Sequence, residues 1–276
     1  MMKLTLLGTG CPSVDHKRCG SANLVTTKNK IILIDCGSGV TQRLNKANIS
    51  SAEIDALFLT HLHSDHVVDL YQLVISSWHS YRTKQWKIYG PKGTKKFVKK
   101  IMNAWNDERK QRIKYEARSS IKAFDLKVTE FNSTGSYSFG DLKIQYFEVD
   151  HKPVKYAYGF SFINNSKKLT ISGDTRPCEN LMRFAQNSDV LLHEVFIEGE
   201  IKETNKMRTK QTLHNVQNYH TTSSQVGKVA FISQCKKLVL THFVPTRFNK
   251  SKLINIVKKD YGKAPIIGED LLTIKI

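Results

Sequence analysis

His61-Leu62-His63-Ser64-Asp65-His66 puts three imidazoles and a carboxylate into six consecutive residues. Neutral imidazole and carboxylate are donors for zinc, and also for iron or manganese. Alternation along an extended loop aims His61 and His63 the same way and leaves Asp65 and His66 to turn toward a second site. A solvated, His-rich turn is the alternative, and a buried structural role would leave each polar group in search of a partner. A binuclear centre needs more donors than one cluster supplies. Three later positions offer them where apolar runs end: Asp150-His151, Ser172-Gly173-Asp174-Thr175 and Thr241-His242-Phe243. Alone, each would read as a capping or surface residue. Together they can meet at one sheet edge. Cys11, Cys19, Cys36, Cys178 and Cys235 form an odd set without CxxC spacing. They read as reduced, mostly buried thiols and not as ligands, although Cys36 and Cys178 lie near the donor loops.

The elements that must position these donors can be read from apolar periodicity. The first cluster follows the apolar run 54–59, and 56–60 is apolar on both faces, as a central strand should be. Strands are expected at 3–8, 22–26, 30–35, 86–89, 142–149, 156–162, 169–172, 190–193, 238–241 and 271–276. Helices are expected at 38–47, 67–79, 94–107, 180–186, 223–234 and 250–259. Neither a Pro/Ser-rich linker nor a repeat divides the chain, so 1–276 reads as a single domain, a sandwich of sheets covered by helices. The segment 204–218 is the most polar and irregular, and reads as a surface loop or a mobile lid over a site.

At 276 residues the chain can bury an ample core. Its apolar runs fall short of the roughly 20 residues a membrane span needs, and Met1–Gly8 reads as a first strand and not a signal peptide. The expected location is cytoplasmic, with no membrane partner. The net charge is +19, and residues 84–118 hold twelve Lys/Arg against three acids. That basic face fits an RNA or polyanion partner, or else the solvated surface of a lysine-rich chain.

The motifs together resemble the metallo-β-lactamase superfamily, and specifically its ribonuclease Z-like branch. The HxHxDH signature stands at 61–66, and the later His, Asp and His motifs follow in family order. His193-Glu194 is similar to the HEA(T) motif, His220-Thr221-Thr222 to the HST element, and Thr241-His242-Phe243 to the closing THFS. Gly90-Pro91-Lys92-Gly93-Thr94 resembles the GP-x-G segment shared with arylsulfatase-like hydrolases. The resemblance runs from Leu6-Leu7-Gly8-Thr9-Gly10 to Gly268-Glu269-Asp270-Leu271.

It implies an αββα sandwich, two mixed β-sheets flanked by helices. It implies two divalent metal ions, zinc first, with manganese or iron as alternatives. His61, His63 and His151 would hold one ion, and Asp65, His66 and His242 the other, with Asp174 bridging both. Thiolate ligation is not implied, and the signature differs from that of the oxygen-reducing diiron relatives, whose cluster usually carries a glutamate. Relatives are commonly dimers, so a homodimer is expected. Ribonuclease Z proper inserts a long tRNA-gripping arm between the positions of His151 and Asp174. Here 152–173 reads as strand, turn at Asn164-Asn165, and strand, too short for that arm. The armless pattern looks closer to arylsulfatase-like and cyclic-phosphodiesterase members.

The activity expected is hydrolysis of a small or nucleotide-like phosphodiester. Two metals about 3.5–4 Å apart acidify a bridging water whose hydroxide attacks in line. Asp65, besides ligating, would orient or deprotonate that water. His220 would protonate the leaving group or stabilise the oxyanion, with Glu194 orienting its imidazole. His193 is expected to pack behind the ligands, and His16, His79 and His214 to be surface or rim residues. Two alternatives remain open at this stage. One is an aryl sulfate ester, with Trp78, Tyr81 and Trp86 either lining an apolar pocket or, as aromatics at element ends usually do, packing in the core. The other is an RNA-processing or RNA-binding protein using lysines such as Lys95, Lys96, Lys99 and Lys100.

Overall fold

The structure is a computed structural model that describes residues 1–201 and 208–276. Alternation of apolar side chains decides its layers. In β3 (Ile31–Ile34) and β4 (Ala56–Phe58), Leu33 and Leu57 pack to one side, while Ile32, Ile34, Ala56 and Phe58 pack to the other. A sheet apolar on both faces must be covered twice. Its first sheet runs β14 (Thr273–Lys275), β1 (Lys3–Gly8), β2 (Ala22–Thr26), β3, β4, β5 (Trp86–Gly90), β6 (Leu126–Glu130). Helices α1 (Val40–Lys46), α3 (Leu70–His79) and α4 (Thr94–Ala104) cover its outer face through Leu44, Leu73, Val74 and Val98.

The second sheet runs β13 (Ile266–Ile267), β12 (Lys237–Val244), β11 (Val190–Phe196), β10 (Lys167–Ile171), β9 (Tyr158–Asn164), β8 (Leu142–Glu148), β7 (Gly135–Phe139). Its outer face lies under α6 (Glu179–Ala185), α8 (Ser223–Ile232) and α9 (Lys250–Tyr261), where Leu181, Val226, Ala230, Leu253 and Val257 are buried. Between the sheets, Leu4, Phe58, Phe131, Phe160, Leu169, Leu192 and Val239 form the central core. The layers are thus those of the expected αββα sandwich.

Each sheet joins an antiparallel half to a parallel half: β3 to β6 run parallel, and so do β10 to β13. Ligands of α/β sheets gather beyond the carboxyl ends of parallel strands, where connecting loops diverge. Here β3, β4, β8 and β10 run into the loops that carry Asp35, His61–His66, His151 and Asp174.

Several expected boundaries move. The helix expected at 67–79 is two, a single turn α2 (Ser64–Val67) and then α3. The basic helix ends at Ala104, and α5 (Asn106–Glu116) follows it. β6, β7 and β13 were not expected; the first two hold mostly half-buried residues, which blurs alternation. β11 and β12 continue past the expected ends, so Glu194 and His242 lie within strands and not after them. A register shift between Glu194 and Val195 accommodates this. The β9–β10 turn lies one residue later than expected, with Asn165 at φ 53° and Asn164 paired to Lys167. The segment 204–218 is not an irregular loop throughout: α7 (Lys210–Gln217) occupies it, capped by the Thr209 side chain. Positions 204–207 lie outside the described residues, and so, in part, does the lid reading. No described helix is long and apolar enough to cross a membrane.

Candidate metal centre

The loop after β4 is held by the loop after β3. The Asp35 carboxylate accepts the Thr60 amide (2.8 Å), the Thr60 hydroxyl (2.9 Å) and His66 Nδ1 (2.8 Å). The Cys36 amide donates to the His66 carbonyl at 2.7 Å, and the Tyr158 amide donates to the Thr60 carbonyl at 3.0 Å, which ties the second sheet to the same loop. Gly37 is required here: a Cβ would stand 2.2 Å from the Asp65 carbonyl oxygen. Gly173, at φ +61°, permits the Asp174 loop to pass 2.6 Å from the Tyr158 carbonyl, measured from where its Cβ would be. Asp35 (φ 60°) and His242 (φ 45°) both adopt the left-handed region without being glycine. Such strain costs about 1–3 kcal/mol per residue and gathers at functional sites.

From these supports the donors converge. Asp174 Oδ2 lies 3.3 Å from His242 Nε2, 3.4 Å from His66 Nε2, and 3.9 Å from both His61 Nε2 and His151 Nε2. Asp65 Oδ2 lies 3.1 Å from His242 Nε2 and 3.6 Å from His66 Nε2. His63 Nδ1 lies 3.4 Å from His151 Nε2. Two groups result, His61-His63-His151-Asp174 and Asp65-His66-His242, and within each group the donor atoms lie within 4.8 Å of one another. The spacing is that of shared ligands more than of hydrogen bonds. Two donors each 2.0–2.2 Å from one tetrahedral ion stand about 3.3–3.6 Å apart. His61 Nε2 and His66 Nε2 are buried and have no hydrogen-bond partner in the protein, a cost that a cation in the centre removes. Nitrogen and oxygen donors of this kind fit divalent metal ions.

Three of the outward nitrogens are fixed as well, while His242 Nδ1 is buried without a partner among the described residues. His61 Nδ1 meets the Thr60 hydroxyl at 3.0 Å, His66 Nδ1 meets Asp35, and His151 Nδ1 donates to the Tyr219 carbonyl at 2.8 Å. Fixing the outer nitrogen sets the tautomer and aims the inner lone pair. Asp35, Thr60 and Tyr219 brace the donor rings, and sequence reasoning missed them. Asp35 carried the same signal as Asp174, a carboxylate after an apolar strand. Tyr219 acts through its backbone and leaves no side-chain signal.

Burial opposes the charge on Asp174, yet His242, His66 and His61 outweigh it and hold the carboxyl well below its ordinary pKa. Burial also opposes charge on His66, but Asp174 and Asp35 push its pKa well above the usual value. His61 goes the other way: burial, then its cationic neighbour His66, press it well below.

Glu194 and His220 stand beside the donors. Glu194 Oε1 accepts from His220 Nδ1 (2.9 Å), the Thr175 amide (3.0 Å) and the Thr221 amide (3.1 Å). Thr175 adjoins Asp174, so the pair is fastened to the carboxylate loop. The His220 ring lies 5.3 Å from that of His151 and 5.7 Å from that of His242, between the two groups. A donor atom of His220 also falls within 4.8 Å of donors on Asp174 and His242. Burial works against its imidazolium, but Glu194 prevails and raises the pKa.

A cleft of about 410 Å³ opens over the exposed His63, lined by donor residues and by the apolar Ile201, Leu213, Val216, Val244 and Pro245. Trp78 and Trp86 are core residues and Tyr81 is 82 % exposed, so the apolar wall is not made of those aromatics. His193 is buried behind the centre, with Nδ1 bonded to the Glu194 carbonyl at 2.7 Å. His16, His79 and His214 stand apart from the donor groups, as do Cys36 and Cys178. Lys95, Lys96, Lys99 and Lys100 are exposed on α4.

Comparison with known proteins agrees with this construction. The family described as anti-Pycsar protein Apyc1 matches residues 2–237. Ribonuclease Z of Mycobacterium bovis (strain BCG / Pasteur 1173P2) is 31% identical over 248 residues, covering 89% of this chain and 87% of that protein. Ribonuclease Z of Mycolicibacterium paratuberculosis is 31% identical over 281 residues, covering 100% and 99%. Among solved structures, the metallo-β-lactamase fold protein YhfI from Bacillus subtilis superposes with a TM-score of 0.75 at 20% identity, covering 99% of this chain and 98% of the other. The short form of human tRNase Z superposes at 0.73 with 22% identity, covering 99% of each chain. The chain is a hydrolase of the metallo-β-lactamase superfamily, in its ribonuclease Z-like branch, and belongs to the family described as anti-Pycsar protein Apyc1.

Proposed function

We propose that the protein is a phosphodiesterase that works with two divalent metal ions on a compact, nucleotide-like diester. One observation carries the reading: four inward imidazole nitrogens surround Asp174 Oδ2 within 3.9 Å, and a His–Glu pair is fastened to the same loop. His61, His63 and His151 would hold one ion, Asp65, His66 and His242 the other, and Asp174 would be shared. Zinc suits this donor set, as do manganese and iron. When bound, two such ions lower the pKa of water and offset charge on the attacking and leaving oxygens.

The residues supply the rest. Burial opposes the Asp65 carboxylate, but His242 and His66 keep its pKa below the ordinary value, so it is an anion ready to orient water. Glu194 fixes the Nδ1–H of His220 and leaves Nε2 as the atom that gives a proton to the leaving oxygen. Burial opposes the charge, but Glu194 raises the pKa, so the ring holds that proton to higher pH than a free imidazole. Relatives named ribonuclease Z support phosphorus as the central atom. The tight β9–β10 hairpin supports a small substrate over one that needs a gripping arm. The apolar side of the cleft favours an aryl ester as the second reading, with sulfate in place of phosphate.

Zinc- or manganese-loaded protein, assayed on bis(p-nitrophenyl) phosphate and p-nitrophenyl sulfate, should hydrolyse the diester faster and lose that activity in Asp65→Ala. Diester turnover no greater than that of Asp65→Ala would reject the proposal, and a preference for the sulfate would replace it with the second reading.

A further inference from the structure

α7 differs from the helices that cover the sheets, because none of its residues is buried. Lys210, Gln211, His214 and Asn215 face solvent, while Leu213 and Val216 are half-buried and line the cleft. Val216 packs against a small apolar cluster of Cys11, Phe196 and Val244, joined by Ile201. Leu213 belongs to none of the apolar clusters of the described residues, although it lines the same cleft as the donor groups. An apolar side chain that faces a cleft and no core is free to be covered by a ligand.

The same helix leads without a break into the catalytic side. The Asn218 amide donates to the His214 carbonyl at 3.0 Å and the His220 amide to the Gln217 carbonyl at 3.2 Å. Tyr219, between them, accepts His151 Nδ1 on its carbonyl and lines the cleft itself. Wall, ligand support and proton donor therefore sit on one continuous segment, 210–220.

We infer that Leu213, backed by Val216, is the specificity-determining contact of the cleft. It receives the aromatic ring of a diester substrate and so favours aryl or nucleoside diesters over small alkyl ones. A ring seated there lies on the segment that carries His220, so recognition and proton donation share one support. The inference rests on the phosphodiesterase reading for the identity of the ester, but binding tests it independently of turnover.

The experiment uses the full, zinc-loaded chain with diphenyl phosphate and dimethyl phosphate as probes, measured by calorimetry. The wild type should bind the diphenyl ester the tighter of the two, and Leu213→Ala should cut that selectivity about tenfold. In the same variant the KM for bis(p-nitrophenyl) phosphate should rise with kcat and metal content unchanged, and Leu213→Met should restore both readouts. Selectivity equal in wild type and Leu213→Ala would overturn the inference. Absence of turnover in the wild type would reject the phosphodiesterase reading alone, and the calorimetric comparison would still decide the role of Leu213.

Discussion

The two sides of the cleft are built by opposite rules. On the donor side, three imidazoles are braced from behind, by Thr60, Asp35 and the Tyr219 carbonyl, and two residues accept left-handed backbone to serve the site. On the other side, α7 buries none of its residues and rests its apolar face on a small satellite cluster. Ligand geometry tolerates little error, so rigidity belongs where the ions would sit. A wall that receives different organic groups needs only to be apolar. The chemistry is built into the sheets, and the selectivity is carried on a helix laid over them.

Substitutions can break that contrast, beginning where the loss should be greatest. Asp174→Ala removes the one carboxylate that, among the described residues, lies close to both donor groups. It should leave at most one ion per chain by elemental analysis and no detectable diester turnover. A variant that kept two ions would show that the groups are independent. His220→Ala should lower kcat by about 10²–10⁴ with metal content unchanged. If the metal is lost as well, His220 is a ligand, which its approach to Asp174 and His242 permits.

The pH profile sharpens the same point. Because its pKa is raised, His220 is protonated below that value and loses its proton as pH rises through it. Turnover should therefore fall on the alkaline side. Glu194→Gln removes the charge that raises the pKa, so the fall should move to lower pH. An unmoved limb would assign it to another group. Asp35→Asn weakens the brace on His66 and should reduce metal affinity by about 10–100-fold, read by competition with a chromophoric chelator. At the small end, replacing Lys95, Lys96, Lys99 and Lys100 with serine should leave small-diester turnover within about twofold, because these side chains are exposed on α4 and do not line the cleft. Any RNA affinity of that face should fall steeply with salt and vanish in the same variant.

The sequence was most legible where the physics is local. The cluster at 61–66 is a contiguous signal, and β1 and β2 have the expected limits because their apolar runs end in turns. Legibility failed where a residue answers to tertiary partners. α5 buries no residue, so it leaves no apolar stripe to read. α7 presents its apolar face to a cleft rather than to a core, and so looked like irregular surface. β11 and β12 run through the site instead of ending before it, because a register shift and a left-handed His242 let the strands continue. Asp35 could have been found by the rule that found Asp174. Its partner, His66, is far away in sequence, and only the parallel pairing of β3 with β4 brings them together.

Zinc binding decides whether the donors form one binuclear centre. Metal-free protein titrated with Zn²⁺ by calorimetry, with diester turnover followed in parallel, tests it most directly. Two ions per chain are expected, with proton release to solvent as the metal displaces the proton from the inward nitrogen of His66, and activity that reaches its maximum only when the second equivalent binds. Saturation at one ion, or full activity before the second binds, would contradict it.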